Sequence, residues 1–263
     1  MTGHVYSQTQ PNSLDMQTVF VWVALAASAA ILARGVHRPL IGAWPAYAFA
    51  IPLAVRLCAL LDTPRDPAAA STRDVILAFQ GTASAAFIAL MVVLFATREQ
   101  ARGPRASRAQ AAVALTGSLI LNVVSFLPVD QNTSTPAVLV SGAFLCCGTG
   151  FATWSLAVLG RCFGIFPEVR GLIRRGPYRW VRHPVYLGEI VAAAGILVVR
   201  PHALTAILVA VFVGLQCWRS VFEESALTAA FPVEYPAYRA TVPRLVPGLR
   251  LGARARSTHP VVA

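Results

Sequence analysis

Lysine is absent from this chain, and charge of either sign is scarce. All 22 basic residues counted as Lys or Arg are arginine, only 11 residues are acidic, and charged residues make up 13% of the 263. Hydrophobic residues reach 56% and the mean hydropathy is +0.62. This composition excludes an ordinary water-soluble domain and predicts membrane insertion. The arginine bias indicates a GC-rich coding genome, so we expect a bacterial source.

Metal-binding cysteine patterns are missing as well. No CxxC or Cys/His ligand spacing occurs among the five cysteines, which are Cys58, Cys146, Cys147, Cys162 and Cys217. Zinc sites in proteins depend on such spacing, so the sequence predicts free thiols and no metal. The first 13 residues contain no Lys or Arg and so lack the charged start of a secretory signal. We therefore expect the first apolar span to stay attached.

Long apolar segments recur along the chain. A helix needs about 20 residues to cross a bilayer core of ~30 Å. Segments of about that length run approximately from Leu14 to Ala33, Pro39 to Leu61, Asp74 to Ala96, Ala109 to Leu127, Pro136 to Leu159, Pro184 to Val199 and Ala203 to Phe222. The pattern predicts an all-α fold, a polytopic transmembrane helical bundle of about seven spans.

Most of the arginines lie in alternate connections between these spans. They follow spans one, three, five and seven, whereas the other connections hold most of the acids, with Asp62, Asp66 and Asp74 after span two and Asp130 after span four. By the positive-inside rule the N-terminus is outside and the arginine-rich connections are cytoplasmic, in what we expect to be a bacterial inner membrane. Arginines placed between apolar spans favour contact with membrane lipids, and we expect no nucleic acid partner.

The connection after span five contains GPYRWVRHPVYLG, residues 176–188. Gly176 and Pro177 predict a turn, and Pro184 suits the first position of a helix because it has no N–H to leave unpaired. A helix start flanked by Arg182 and His183 is a plausible seat for a carboxylate. The alternative is that an arginine-rich connection serves only to orient the protein in the membrane.

Acidic residues stand at the predicted end of span seven. Arg219 and Glu223 are one helical turn apart and share a face, while Glu224 points about 100° away. Their functional interpretation competes with an interfacial ion pair worth only ~0.3 to 0.5 kcal/mol. Glu189 within span six can either face the same site or extend to the membrane surface, and the sequence leaves both open.

From about Leu156 to Pro247 the chain resembles the isoprenylcysteine carboxyl methyltransferase and phospholipid methyltransferase superfamily. The matching features are GPYRWVRHPVYLG, a short apolar hairpin, Arg219 with the Glu223 and Glu224 pair, FPVEYPAY and VPRLVP. The resemblance implies a polytopic enzyme that holds S-adenosylmethionine in a cytoplasmic pocket over its last helices and admits a lipophilic substrate from the bilayer. Residues 1–155 are then an N-terminal transmembrane scaffold, 156–247 the methyltransferase core with its C-terminal helical hairpin, and 248–263 a basic tail.

The resemblance also implies roles for individual residues. Cofactor contacts are expected from Arg170, Leu172, Ile173, Tyr178, Arg182, His183, Pro184, Val185, Tyr186 and Glu223. Arg219 is the implied substrate-binding residue, and its charge favours a carboxylate acceptor that becomes a methyl ester, such as an isoprenoid-like or other lipid acid. An amine acceptor would need a base, for which Glu223 and Glu224 are the candidates. The expected reaction requires no metal.

Two other functions remain open from the sequence. Membrane sterol reductases share a similar RHP-Tyr-Gly-Glu segment, which would make the protein an NADPH-dependent reductase. Their pattern has Asn after the proline, where Val185 stands here, and their C-terminal signature differs. A non-catalytic membrane scaffold, in which the arginines only anchor the chain, is the remaining class.

Overall fold

The computed structural model describes residues 72–101, 105–125 and 133–248, together with the single positions Phe49, Leu53, Leu127 and Asp130. Most of the first two predicted spans and the tail after residue 248 lie outside these residues.

The regular elements of the described residues are all helices. Six are α-helices: α1 (Thr72–Thr97), α2 (Arg108–Ser125), α3 (Thr135–Leu159), α4 (Pro184–Val199), α5 (Ala203–Ala230) and α6 (Glu234–Thr241). Two short 3₁₀ helices, Gly160–Cys162 and Gly176–Arg179, lie in the long connection between α3 and α4.

Helices α1 to α5 coincide with the last five predicted spans. Within the described ranges, three stretches, Ala78–Phe95, Thr135–Cys162 and Ala203–Ala230, are long and apolar enough to cross a membrane, while the apolar parts of α2 and α4 are shorter. The helical membrane class is thus confirmed, and the total of seven spans stays a prediction. Helix α5 continues past the predicted end at Phe222 to Ala230, because good helix formers follow where the hydropathy falls.

Helices α3 and α4 pack backbone against backbone. A Cβ added at Gly148 would lie 2.4 Å from the Ala192 amide nitrogen, and one added at Gly188 would lie 2.6 Å from the Gly148 carbonyl oxygen. Small residues allow this approach between apolar helices, where packing rather than water exclusion drives association. The contact fixes the position of α4, whose first residues form part of the site described below.

Backbone hydrogen bonds show which connections share an end of the bundle. The Glu99 amide, after α1, donates to the Arg161 carbonyl, after α3, at 2.9 Å. The Asp130 amide, between α2 and α3, donates to the Val199 carbonyl, at the end of α4, at 3.1 Å. The arginine-rich connections after α1 and α3 therefore lie together at one end, as the charge pattern predicted.

Candidate active site

The His-Pro turn is built by local sequence and held by the C-terminal segment. Gly176 adopts a φ of 57°, and Pro184 occupies the first turn of α4 directly after His183. The backbone amides of Arg182 and His183 donate to the carbonyls of Pro243 and Arg244 at 2.9 and 3.1 Å. The turn is therefore held both by its own local sequence and by hydrogen bonds to the C-terminal segment.

The His183 ring lies between the two carboxylates of α5. Its Nε2 is 3.3 Å from Glu224 Oε1, and its Nδ1 is 3.6 Å from Glu223 Oε2. The first distance allows a hydrogen bond, whereas the second is an electrostatic contact. The structure thus brings the start of α4 beside the two acids of α5, and His183 and Glu224 are 41 residues apart in sequence.

The environment of His183 favours its charged form. Burial alone would lower the pKa of the imidazole, but the close contacts with Glu223 and Glu224 and their negative charges outweigh burial and raise the pKa above its usual value. A protonated ring donates from both nitrogens, which suits a position between two acids.

Glu223 is also fixed from α4. The Tyr186 hydroxyl donates to Glu223 Oε1. The Tyr186 ring is stacked on the His183 ring with centroids 5.5 Å apart, and the Arg219 guanidinium carbon lies 4.8 Å from the Tyr186 centroid. These contacts hold an acid, an imidazole and a guanidinium around one tyrosine ring.

Arg219 is buried, and not all of its N–H donors have a partner among the described residues. Its Nη1 donates to Gln216 Oε1 at 2.9 Å and to Ser118 Oγ at 3.2 Å, and its Nη2 donates to the Ile165 carbonyl at 3.1 Å. Its Nε has no hydrogen-bond partner among the described residues, although the residue is only 6% exposed. No ion pair with Glu223 forms within the described part of the chain, so the alternative of a simple interfacial pair is not what the structure shows.

Glu224 has a different set of partners, as its position on the helix predicted. Arg182 approaches its Oε1 at 2.8 and 2.9 Å, and Arg244 donates to both of its oxygens at 3.1 and 2.9 Å. With His183 on the same oxygen, the carboxylate is fully engaged and 3% exposed. Glu224 ties the His-Pro turn to α5 and to the segment after α6.

Most of the predicted site residues line one cavity of about 120 Å³. The predicted residues in its wall are Leu172, Ile173, Tyr178, Arg182, His183, Pro184, Val185, Tyr186, Arg219 and Glu223. Arg170 and Glu224 are not among its lining residues. The Arg170 side chain instead donates to the Glu99 carbonyl at 3.0 Å and pairs with Glu168 at 2.8 Å, which ties the connection after α3 to the end of α1.

Several residues of the site were not assigned a role from the sequence. Tyr235 lines the cavity with a buried hydroxyl that has no hydrogen-bond partner among the described residues, and Tyr238 donates to the Tyr178 carbonyl at 2.6 Å. Both lie in the FPVEYPAY run, so the motif pointed to the segment but not to these contacts. Gln216 was detectable as an amide in an apolar span one turn before Arg219, whereas nothing in the sequence singles out Ser118.

The donor set of this cavity fits S-adenosylmethionine. The cofactor carries an ammonium, a sulfonium, a carboxylate and an adenosine face. Glu223 offers a carboxylate for a cation, the helix start at His183 offers positive charge for a carboxylate, and aromatic and apolar side chains form the remaining wall. The buried hydroxyl of Tyr235, which lacks a partner in the described part of the chain, adds a polar group that a ligand can satisfy. Within the described residues no cluster of His, Cys, Asp and Glu could hold a metal ion.

Comparison with known proteins supports the same superfamily. Residues 137–233 match the model of the phospholipid methyltransferase family. The match confirms the resemblance to this superfamily of membrane methyltransferases over the segment that contains most of α3, all of α4 and α5, and the acidic and His-Pro walls of the cavity. No curated protein matches the chain significantly.

A solved structure of the eukaryotic intramembrane Ras methyltransferase ICMT (isoprenylcysteine carboxyl methyltransferase) matches 88% of this chain and 95% of its own. The identity is 15% and the TM-score is 0.36.

Proposed function

We propose that the protein transfers a methyl group from S-adenosylmethionine to the carboxylate of a lipophilic acceptor, an isoprenoid-like or other lipid acid, to form a methyl ester. The observation that carries this proposal is Arg219, a buried guanidinium whose Nε has no hydrogen-bond partner among the described residues, in the wall of the cavity that also contains Glu223 and His183. The family match over residues 137–233 supports methyl transfer to a lipid-type substrate.

The cofactor would be held on the side of the cavity formed by the His-Pro turn and Glu223. Glu223 would bind the ammonium or a ribose hydroxyl, and the start of α4 with His183 would bind the carboxylate. When bound, S-adenosylmethionine would supply the methyl group: the acceptor oxygen would form a bond to the methyl carbon while the carbon–sulfur bond breaks and its electron pair stays on sulfur. The protein excludes water and aligns the two reactants, which can contribute ~7 to 11 kcal/mol.

Arg219 is suited to orient the acceptor. A guanidinium has five N–H donors, and the described contacts use three, on Nη1 and Nη2. The remaining donors, the Nε–H and one N–H of Nη2, would be available to a carboxylate, which guanidinium groups bind through paired N–H donors. A carboxylate acceptor already bears its negative charge, so the reaction needs orientation and no base.

Ligand binding tests the enzyme class. Purified protein in nanodiscs should bind S-adenosylmethionine and not NADPH, measured by calorimetry with each compound separately. Binding of NADPH alone would support a sterol-type reductase, and binding of neither would support a non-catalytic membrane protein.

Product analysis tests the acceptor group. Membrane lipid extract incubated with the protein and methyl-labelled S-adenosylmethionine should yield a labelled lipid that releases volatile methanol in alkali, because methyl esters hydrolyse there. A labelled product stable to alkali, such as a methylamine, would contradict the carboxylate proposal while leaving methyl transfer intact.

The Arg219→Ala variant tests the assigned residue. We expect kcat/KM for the acceptor to fall on the order of a hundredfold, with little change in cofactor affinity. Arg219→Lys should recover little, because an ammonium lacks the planar fork. Arg174→Ala, an exposed arginine at the same end, is the matched control. A loss confined to cofactor affinity would contradict this role.

A further inference from the structure

Glu189 of α4 contacts Arg219 indirectly. It lies one helical turn after Tyr186, and both side chains line the candidate active site. The Tyr186 ring centroid lies 4.8 Å from the central carbon of the Arg219 guanidinium. Glu189 instead reaches Arg219 through Gln216 of α5, whose amide nitrogen donates to Glu189 Oε2 and whose amide oxygen accepts from Arg219 Nη1 at 2.9 Å. Charged groups within membrane helices are costly and usually have a functional partner, so these contacts indicate a role toward Arg219.

The two neighbours of Gln216 allow only one orientation of its amide. An ionised carboxylate only accepts hydrogen bonds, so the amide nitrogen must face Glu189. A guanidinium only donates, so the amide oxygen must face Arg219. A reversed amide would place donor against donor at Arg219 and acceptor against acceptor at Glu189. The acid therefore determines that the amide presents its oxygen to the guanidinium.

Gln216 does not line the candidate active site, although both of its partners do. Its side chain is fully buried between α4 and α5 contacts and has no access to a cofactor or an acceptor. Such a residue can influence the reaction only through the groups that it holds. Gln216 is thus suited to position Arg219 and not to bind a ligand itself.

Arg219 has further contacts with α2 and with the connection after α3. Its Nη1 donates to Ser118 Oγ at 3.2 Å, and its Nη2 donates to the Ile165 carbonyl at 3.1 Å. Helix α2 also packs tightly here: a Cβ added at Gly117 would lie 3.2 Å from Arg219 Cδ and 3.3 Å from Gln216 Oε1. The Gln216 contact thus belongs to a network in which every bond restricts the same guanidinium.

We infer that Glu189 is a positioning residue: through Gln216 it fixes the orientation of the Arg219 guanidinium, so that the N–H donors without a described partner face the acceptor. The inference rests on the proposed function for the role of Arg219 toward the acceptor, whereas the orientation itself does not depend on that role. The competing role for an acid in this cavity is that of a general base.

Two variants of Glu189 separate orientation from charge. Glu189→Leu removes the acceptor of the Gln216 amide, so kcat/KM for hexadecanoic acid at saturating S-adenosylmethionine should fall about tenfold. Glu189→Gln keeps an acceptor oxygen there and should recover kcat/KM to within about threefold of the wild type. Rates are expressed per cofactor-binding site, so a loss of folded protein alone does not change them. An equal loss in both variants would indicate a base or a counter-charge and overturn the inference.

A double-mutant cycle tests whether Glu189 acts through Arg219. The wild type, Glu189→Leu, Arg219→Ala and the double variant are compared with the same acid. Arg219→Ala leaves no guanidinium to orient, so the addition of Glu189→Leu should lower kcat/KM by less than about twofold further. A general base or an independent structural role predicts that the two losses multiply, and multiplied losses would contradict the positioning role.

A change on α2 tests the same orientation without removing a hydrogen-bonding group. Gly117→Ala should displace the Arg219 stem and the Gln216 amide by a few tenths of an ångström and lower kcat/KM about threefold or more. Gly214→Ala, where an added Cβ has no atom within 4 Å, is the matched control and should keep the wild-type value. Alanine favours a helix more than glycine does, so both variants should fold even if Glu189→Leu does not. Wild-type kcat/KM in Gly117→Ala would show that the reaction tolerates a displaced guanidinium, which is contrary to the inference.

Arginine NMR separates this inference from the proposed function. In protein with isotope-labelled arginine in nanodiscs, an oriented guanidinium gives resolved Nη–H signals, whereas a freely rotating one gives averaged signals. The Arg219 signals, assigned by their loss in Arg219→Lys, should be resolved in the wild type and in Glu189→Gln but averaged in Glu189→Leu. That result with no acid methylated would refute only the proposed reaction. Resolved signals in Glu189→Leu, or averaged signals in the wild type, would refute the inference even if an acid is methylated.

Discussion

At the scale of single residues, His183 and Glu223 are the most constrained groups of the site. The imidazole contacts both carboxylates of α5, and Glu223 additionally accepts from Tyr186. Four side chains therefore depend on one another, so a change to any one alters the protonation or orientation of the rest.

The Glu223→Gln variant should weaken S-adenosylmethionine binding. A neutral amide keeps the shape but loses the charge that would pair with the ammonium, so we expect Kd to rise about tenfold to a hundredfold. Calorimetry in nanodiscs measures the change, and Glu234→Gln, at an exposed acid on α6, is the control. The same Kd in both variants would remove Glu223 from the cofactor site.

The stability of the protein should depend on pH through His183. Its folded pKa is raised above the unfolded value of ~6.5, so its contribution is complete below that pH and is lost as pH rises through the folded pKa. The facing groups are Glu223 and Glu224 from α5, Arg182 and Tyr186 beside the ring, and Arg244 from the C-terminal segment.

Thermal unfolding in detergent measures this dependence. The wild-type Tm should fall as the pH rises from ~6.5 through the folded pKa of His183. The His183→Asn variant should have a flatter profile of Tm against pH because it has no proton to lose. His202→Asn, at an exposed histidine, should retain the wild-type slope. A His183→Asn profile as steep as that of the wild type would show that another group titrates.

At the scale of elements, Glu224 joins three parts of the chain. It contacts Arg182 before α4 and Arg244 after α6 from its own position on α5, while Tyr238 of α6 donates to the Tyr178 carbonyl. These contacts hold α6 and residues 242–246 against the His-Pro turn. The segment that covers the site therefore depends on one buried carboxylate.

The Glu224→Gln variant should loosen that segment. Replacing the buried acid leaves two arginines without their charge partner, and breaking such a pair costs about 3 to 5 kcal/mol. Hydrogen exchange of residues 231–248 should increase, followed by mass spectrometry. Arg244→Gln should act in the same direction, and Arg239→Gln should act less because its guanidinium is 3.9 Å away and 54% exposed. Unchanged exchange in Glu224→Gln would contradict the structural role.

At the scale of the whole molecule, the arginine-rich connections and the candidate site lie at the same end of the bundle. The described connections after α1 and α3 contain Arg98, Arg105, Arg161 and the arginines of residues 170–182, and the site lies beside them. The opposite end contains Asp130 and the connection between α4 and α5. The positive-inside rule then predicts that the site faces the cytoplasm.

Thiol labelling of bacterial spheroplasts tests this orientation. A cysteine replacing His202 should react with a membrane-impermeant maleimide in intact spheroplasts, whereas one replacing Arg174 should react only after permeabilisation. Both residues are exposed, so access differs only by the side of the membrane. The unsubstituted protein gives the background from native cysteines such as Cys147 and Cys217. The reverse pattern would place the site outside.

The sequence by itself determined the class of this protein and the location of its helices. Apolar length and arginine placement predict α1 to α5 and the shared end of their connections, because membrane insertion depends on local hydropathy and charge. The motif GPYRWVRHPVYLG and the acids of α5 likewise predict which segments form the site. The family match over residues 137–233 confirms the resemblance that these residues carry.

Only the tertiary structure decided which atoms meet. Glu223 and Glu224 are neighbours in sequence, yet one lines the cavity and the other is held by Arg182 and Arg244. Glu189, whose direction the sequence left open, lines the cavity of the candidate site. Such partnerships join residues far apart along the chain, and no local pattern encodes the packing that brings them together.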